Sequence, residues 1–303
     1  MKKITFFVPC ECTLPFSDEI GIYEDSGVLL LPDSYGEDQA PTRLVINCHG
    51  AGGTVTTDDS QVEGQVLTKY LLANGYAVMD VNGLPADFAD QYGIDIRNNI
   101  GSPIAIQSYI KAYHYCIDHF NLHKEIFVHG SSMGGISSTN LVLSEALPVL
   151  AQTGFCPVLD AYNEIFLHPW SNGLPKTAMG ILYSFQKDAE GNYIYNEDKL
   201  LHYDPMSSKR VHPCPVLFCH SVNDPIVSFD ITKKYVERAK ETGVEAELLA
   251  LPDGFHEPQD YGPFMEKPSG ISCYNGEVLN ITKAIEAVFS WITHHENTDW
   301  RKN

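Results

Sequence analysis

The stretch Glu125 to Asn140, EIFVHGSSMGGISSTN, decides how the rest of the chain reads. It begins with a β-favouring run, Ile126-Phe127-Val128, behind charged Lys124 and Glu125. It turns through Gly130-Ser131-Ser132-Met133-Gly134-Gly135 and enters a segment in which Ile136, Leu141 and Leu143 mark one face of an expected helix. Gly130-x-Ser132-x-Gly134 has the spacing of a nucleophile elbow, a motif that requires a strand, a tight turn and a helix in that order. A strand passing straight into a helix crowds the backbone, and residues without Cβ relieve the crowding on both sides of the serine. The Ser132 hydroxyl would then stand clear of the sheet at a helix N-terminus, where free amides favour negative charge. The competing reading is a plain helix cap made by Ser131 or Ser132.

Working outward, residues 43–48, RLVINC, form a continuous apolar run of buried-strand type and lead into the glycine-rich loop His49-Gly50-Ala51-Gly52-Gly53-Thr54. Helical spacing over 61–74 stops at Gly75, and 76–81 reads as the next strand. Residues 82–101 read as a long loop holding Phe88, Tyr92 and Arg97, after which Ser102-Pro103 opens a helix to about Phe120. Nearer the N-terminus, 4–8 and 28–31 are strand candidates for an antiparallel edge. Downstream, strands are expected over 155–159 (ending at Asp160), 215–219 and 245–251, and helices over 231–242 and 278–295. Residues 161–208, with Trp170, Tyr183, Phe185, Tyr193, Tyr195 and Tyr203 in no sustained period, read as a cap or lid excursion. Strands alternating with helices predict an α/β protein with a mainly parallel central sheet covered on both faces, one domain spanning 1–303.

Composition narrows the function classes. A formal charge of −19 argues against nucleic acid and anionic membranes as partners, both of which call for basic patches. The start, MKKITFFVPCECTLPF, is interrupted by Pro9 and Glu11 too early for a secretion signal, and no apolar run reaches the ~18 residues of a membrane span. A soluble, cytoplasmic protein is expected, with a leader removed beforehand as the alternative. Of the eight cysteines, Cys48 and Cys219 sit inside apolar runs as small hydrophobes, while Cys10 and Cys12 form a lone C-x-C without the second pair a zinc site needs. No metal and no cofactor are expected.

In a parallel α/β sheet, functional residues gather in loops at the carboxyl ends of strands. Ser132, Asp224 and His256 each follow an expected strand, in the order Ser, Asp, His, and the His49 to Gly53 loop follows an earlier one. On these pieces, together with His220-Ser221-Val222-Asn223-Asp224-Pro225 and Gly254-Phe255-His256-Glu257, the chain resembles the α/β-hydrolase superfamily, and is most similar to its esterase and prolyl-oligopeptidase-like branches. The resemblance runs from about Leu44 to the C-terminus and departs from it at Ser221, where many relatives carry glycine. It implies Ser132 as nucleophile, His256 as base, Asp224 as the acid that orients it, and the amides of Met133 and Ala51 as an oxyanion hole. Gly50 is an alternative to Ala51, and Asp160 is an alternative acid. His49, His129 and His220 read as structural histidines, and His294-His295 as a solvated helix end.

No motif names the substrate. Tyr92 and Trp170 are candidate substrate contacts, and aromatic faces suit an acetyl or feruloyl ester of a carbohydrate; the competing reading makes these aromatics the core of a small cap. Three function classes follow: a serine hydrolase of small-molecule carboxylic esters, a peptidase of the related branch, and a non-catalytic binder on the same fold. The peptidases of that branch usually carry a gating domain, for which the chain looks too short. The sequence does not reveal the oligomeric state.

Overall fold

The computed structural model describes residues 1–56, 60–167, 173–252, 255–256 and 270–296. The chain opens with two 12-residue strands, β1 (Lys2–Thr13) and β2 (Ile20–Leu31), paired antiparallel from Lys2↔Leu31 to Thr13↔Ile20. Along β1 every second side chain is buried: Phe6, Val8, Cys10 and Cys12. The C-x-C spacing is therefore the period of a half-buried strand, with both thiols used as small hydrophobes. The strands run beyond the expected 4–8 and 28–31 because exposed polar residues alternate with the buried ones and hide the pattern.

The remaining strands are β3 (Thr42–Cys48), β4 (Ala77–Val81), β5 (Leu122–Ser131), β6 (Val149–Phe155), β7 (Val216–Ser221), β8 (Ala246–Leu251), β9 (Gly270–Tyr274) and β10 (Glu277–Ile281). Helices are α1 (Val66–Ala73), α2 (Ala86–Tyr92), α3 (Pro103–His119), α4 (Met133–Leu143), α5 (Leu174–Leu182), α6 (Glu197–Leu200), α7 (Phe229–Glu241) and α8 (Lys283–His295). One sheet runs β1-β2-β4-β3-β5-β6-β7-β8, with β2 antiparallel to β4 and every pairing from β4 to β8 parallel. One face packs on α3 through Tyr109, Ala112 and Cys116, and on α7 through Tyr235 and Val236. The other packs on α1 through Leu67 and Leu71, and on α8 through Ile285, Val288 and Ile292. The β9–β10 hairpin joins this second layer through Leu279 and Ile281.

Four expectations need correction. The strand expected over 155–159 is β6, at 149–155. Pro157 has no N–H for a ladder, whereas Gln152, which looks too polar for a core strand, is satisfied there. Its Nε2 donates to Ser138 Oγ (3.0 Å) and Thr139 Oγ1 (2.9 Å), and its Oε1 lies 2.8 Å from His212 Nε2. The helix expected over 278–295 begins only at Lys283. Before it, Asn275 (φ 49°) and Gly276 (φ 80°) make the two-residue turn of the β9–β10 hairpin, an Asn-Gly signal that periodicity alone passes over. The loop expected over 82–101 contains α2, closed by Gly93 at φ 65°. The segment 61–74 divides into a 3-10 turn (Gln61–Gly64) and α1.

The described residues of the cap expected over 161–208 include a π-helical turn (Tyr162–Phe166), α5 and α6. Its rings cluster: Phe166 lies 5.1 Å from Tyr195, Phe185 5.6 Å from Tyr195, and Tyr183 6.0 Å from Tyr203. Phe166, Tyr183 and Phe185 are buried against Met133 and Ile136 of α4. Most of these aromatics therefore form core, and Tyr162 keeps 39% of its surface exposed.

One buried charge sits away from all of this. Asp25 on β2 is 1% exposed, and its Oδ2 accepts from Gly83 N (2.8 Å) and from Ser108 Oγ. Burial pushes its carboxyl up to about 6 against those hydrogen bonds. The unfolded carboxyl releases its proton near ~4, so the folded state binds more protons between these values and stability falls as pH rises through that window. Urea titrations of the wild type should show such a decline between about pH 4 and 6, worth about 2–3 kcal/mol. Asp25→Asn should lose that component; an identical slope in both proteins would contradict the assignment.

Candidate active site

Ser132 sits between the last residue of β5 and the first of α4, with φ 53° and ψ −123°. This region disfavours a side chain, and the neighbours hold the residue there. Ser132 N donates to Phe155 O (2.9 Å), while Ser132 O accepts from Gly135 N (2.8 Å) and Val158 N (2.8 Å). The glycines make room, as a Cβ on Gly134 would run into the carbonyl oxygen of Cys48, at the end of β3, and one on Gly130 into Gly134 O and Ser138 Oγ. α4 is buried on every side, Met133 through Leu143, so the single apolar face expected from Ile136, Leu141 and Leu143 understates its contacts.

His256 lies between two oxygens. Its Nε2 is 2.7 Å from Ser132 Oγ and its Nδ1 2.8 Å from Asp224 Oδ2. The side chain of Asp224 is fully buried and that of His256 is 12% exposed. Asp224 follows β7, and its Oδ1 accepts the amides of Ile226 (2.8 Å) and Val227 (3.0 Å), which folds its loop around the carboxylate. Burial alone would raise this carboxyl. Hydrogen bonds from His220 and His256, the His256 charge and the Val227 amide outweigh it and hold the group well below the usual carboxylate range. Asp160 makes other contacts: its carboxylate accepts from Asn163 N (2.9 Å) and Asn163 Nδ2 (2.7 Å).

The other strand-end histidines are buried with partners of their own. His129 Nδ1 lies 2.9 Å from Thr153 Oγ1, and burial pushes its imidazole down to about 3, so it stays neutral. His220 Nδ1 lies 2.8 Å from Thr232 Oγ1 and its Nε2 3.4 Å from Asp224 Oδ2. His49 Nδ1 lies 3.2 Å from Asp80 Oδ1, a carboxylate that also accepts from Asn47 Nδ2 (2.7 Å) and Tyr109 OH (3.0 Å). This network lies at the base of the glycine-rich loop. Gly50 in that loop lies against Ser131 and Ser132: a Cβ there would stand 3.2 Å from Ser131 O and 3.3 Å from Ser132 Cβ. Met133 opens α4, so its amide has no intrahelical acceptor. The arrangement brings together a hydroxyl, a proton acceptor and a buried anion, with the Met133 amide next to the hydroxyl.

Three-dimensional comparison shows which solved structures share this fold. No protein-family model matches the chain, and no curated protein matches it. Solved structures do. The Pyrococcus horikoshii acylaminoacyl peptidase superposes with a TM-score of 0.58 at 16% identity, over 84% of this chain and 38% of its own length. The chain thus spans well under half of that peptidase. A Pyrobaculum calidifontis esterase superposes with a TM-score of 0.55 at 15% identity, over 82% of this chain and 75% of its own. Est1E from Butyrivibrio proteoclasticus aligns over 97% of this chain and 99% of its own, with a TM-score of 0.52 at 15% identity. The chain has the α/β-hydrolase fold. Its peptidase and esterase neighbours share this fold with it.

Tyr92 packs on Phe88 (4.8 Å) in the core beside β1 and β2, apart from the cluster around Met133. Trp170 lies outside the described residues. No helix among the described residues is long and apolar enough to cross a membrane. Two groups of metal-donor side chains occur among them, Cys156-His220-Asp224 and Glu245-His294-His295. The first shares Asp224 with His256. In the second, His295 is 1% exposed and packs on Trp291 (4.7 Å), so the helix end expected to be solvated is half buried. Glu164, a 4%-exposed carboxylate in the π-helical turn, was invisible to pattern reading because its segment has no period.

The fit of α4 against β3 is testable. Gly134→Ala should lower stability by about 1–3 kcal/mol through overpacking against Cys48, read as a lower urea midpoint. An unchanged midpoint would mean that the close approach does not exist.

Proposed function

We propose that this protein is a serine hydrolase that cleaves carboxylic esters through an acyl-enzyme. The observation that supports the reading most strongly is the unbroken relay Ser132 Oγ, His256, Asp224 at 2.7 and 2.8 Å. A serine hydroxyl is a weak nucleophile until a base takes its proton, and imidazole suits that task near neutrality. Ser132 Oγ attacks the ester carbonyl carbon while His256 Nε2 takes its proton. The tetrahedral oxyanion meets the amides of Met133 and of Ala51 in the glycine-rich loop, each such donor being worth about 2.7–4 kcal/mol. His256 then gives the proton to the leaving alcohol as the C–O bond breaks. A water attacks the acyl-enzyme, with His256 again taking the proton and returning it to Ser132. Asp224, ionised at any ordinary pH, holds the imidazole tautomer and balances the imidazolium.

Within this class we infer an acyl ester carried on a carbohydrate, such as an acetyl or feruloyl ester. The support is the aromatic cap over α4 with the ring of Tyr162 left exposed at its edge. Residues 161–208 serve in this reading as a cap within a single domain. The peptidase reading draws on the acylaminoacyl peptidase neighbour, although the chain spans only 38% of that protein.

Fluorophosphonate labelling and a panel of p-nitrophenyl acetate, methyl ferulate and aminoacyl anilides separate these readings. Labelling with ester turnover is expected, and anilide turnover in its place would favour the peptidase. Ser132→Ala should abolish labelling and lower kcat by about 10³-fold or more. Asp224→Asn should lower kcat by about 10⁴-fold, and Asp160→Asn should change it little. A large loss from Asp160→Asn with Asp224→Asn active would reassign the acid.

A further inference from the structure

Near the start of the cap lies a buried carboxylate that bonds backbone on both sides. Glu164 Oε2 accepts from Leu159 N (2.8 Å) and Asp160 N (3.0 Å), and its Oε1 accepts from Ser228 N (3.0 Å). Leu159 and Asp160 directly follow Val158, whose amide donates to Ser132 O at 2.8 Å. Ser228 ends the segment that begins at Asp224 and wraps its carboxylate through Ile226 and Val227. From these contacts we infer that Glu164 is a positioning residue that fixes the Asp224 loop to the Ser132 elbow. The inference rests on the serine-hydrolase reading above.

The geometry closes a ring. One half is the reacting side: Ser132 Oγ, His256, Asp224. The other half runs through backbone: Asp224 to Ser228, across Glu164 to Leu159, then Val158 to Ser132. β6 and β7 are neighbours in the sheet, but their pairing ends at Phe155↔Cys219, before either loop begins. Beyond that point, the carboxylate ties the two loops together. The need for acceptors on both sides follows from hydrogen-bond chemistry. Both oxygens accept from backbone N–H groups, and a carboxylate offers acceptors on both sides. A glutamine has one accepting oxygen and one donating NH₂, so one side of the tie must face donor to donor. The shape is unchanged and the tie is cut. A reacting group displaced by about 1 Å can cost ~10²-fold in rate, so loosening the acid loop reports in kcat.

The test compares the wild-type chain with Glu164→Gln on p-nitrophenyl acetate and with a fluorophosphonate. Glu164→Gln should lower kcat and the labelling rate together by about 10- to 100-fold, with KM within about threefold. A wholly structural role predicts a lower melting temperature with kcat and labelling at wild-type values well below it, and that result overturns the inference. Ser228→Pro removes the same hydrogen bond from the other side, at a φ of −76° that proline accepts. It should give a similar loss, and the double variant should be little worse than either single. Additive losses, or wild-type kcat in Ser228→Pro, count against the inference, and the latter decides it alone if Glu164→Gln does not fold. A wild type that neither labels nor turns over ester removes the underlying hydrolase reading instead.

Discussion

The rest of the site depends on one constraint, the backbone of Ser132 held at φ 53° between a strand and a helix. Such a conformation costs about 1–3 kcal/mol for a residue with a side chain. It persists because both its backbone groups are bonded and because Gly134 lets α4 press against the Cys48 carbonyl of β3. Release any of these and the chain can relax toward an ordinary turn, taking the hydroxyl out of line with His256. The sheet order β4-β3-β5-β6-β7-β8 then supplies everything else by adjacency. β3 delivers the glycine-rich loop on one side of the elbow, and β7 delivers the Asp224 loop two strands away on the other.

Electrostatics sorts the histidines that this arrangement crowds together. His129 and His220 are fully buried on partners that leave them no route to solvent, and burial keeps His129 neutral. His256 joins a partly exposed imidazole to a fully buried carboxylate. The Asp224 charge survives burial because side-chain and backbone donors converge on it. At Asp25 burial wins instead: donors from Gly83 and Ser108 reach its Oδ2, and the carboxyl is still pushed up to about 6.

How much of this could be read in the sequence depended on how local the signal was. The elbow was legible because its crowding demands glycine at fixed offsets from Ser132. The Ser, Asp, His order was legible because each residue follows a strand. Strand ends were less so. β6 was misplaced because the hydroxyls of Ser138 and Thr139 satisfy Gln152, a partnership between distant residues. The β9–β10 hairpin was missed although Asn275-Gly276 announced it, because the apolar residues that follow run straight on into α8. Tyr92 read as a substrate contact, whereas its helix, α2, packs it on Phe88 in the core beside β1 and β2. Glu164 was beyond sequence reasoning, since its worth lies in joining the amides of Leu159 and Asp160, just before it in the chain, to that of the remote Ser228.

The most direct test of the central claim is a crystal structure of the fluorophosphonate adduct. The account predicts phosphorus bonded to Ser132 Oγ, the positive φ at Ser132 retained, and the phosphoryl oxygen within ~3 Å of the Met133 amide and an amide of the 50–53 loop. His256 Nε2 should stay within hydrogen-bonding reach of the adduct. Phosphorus on another residue, or a phosphoryl oxygen turned to solvent with both amides unoccupied, would contradict it.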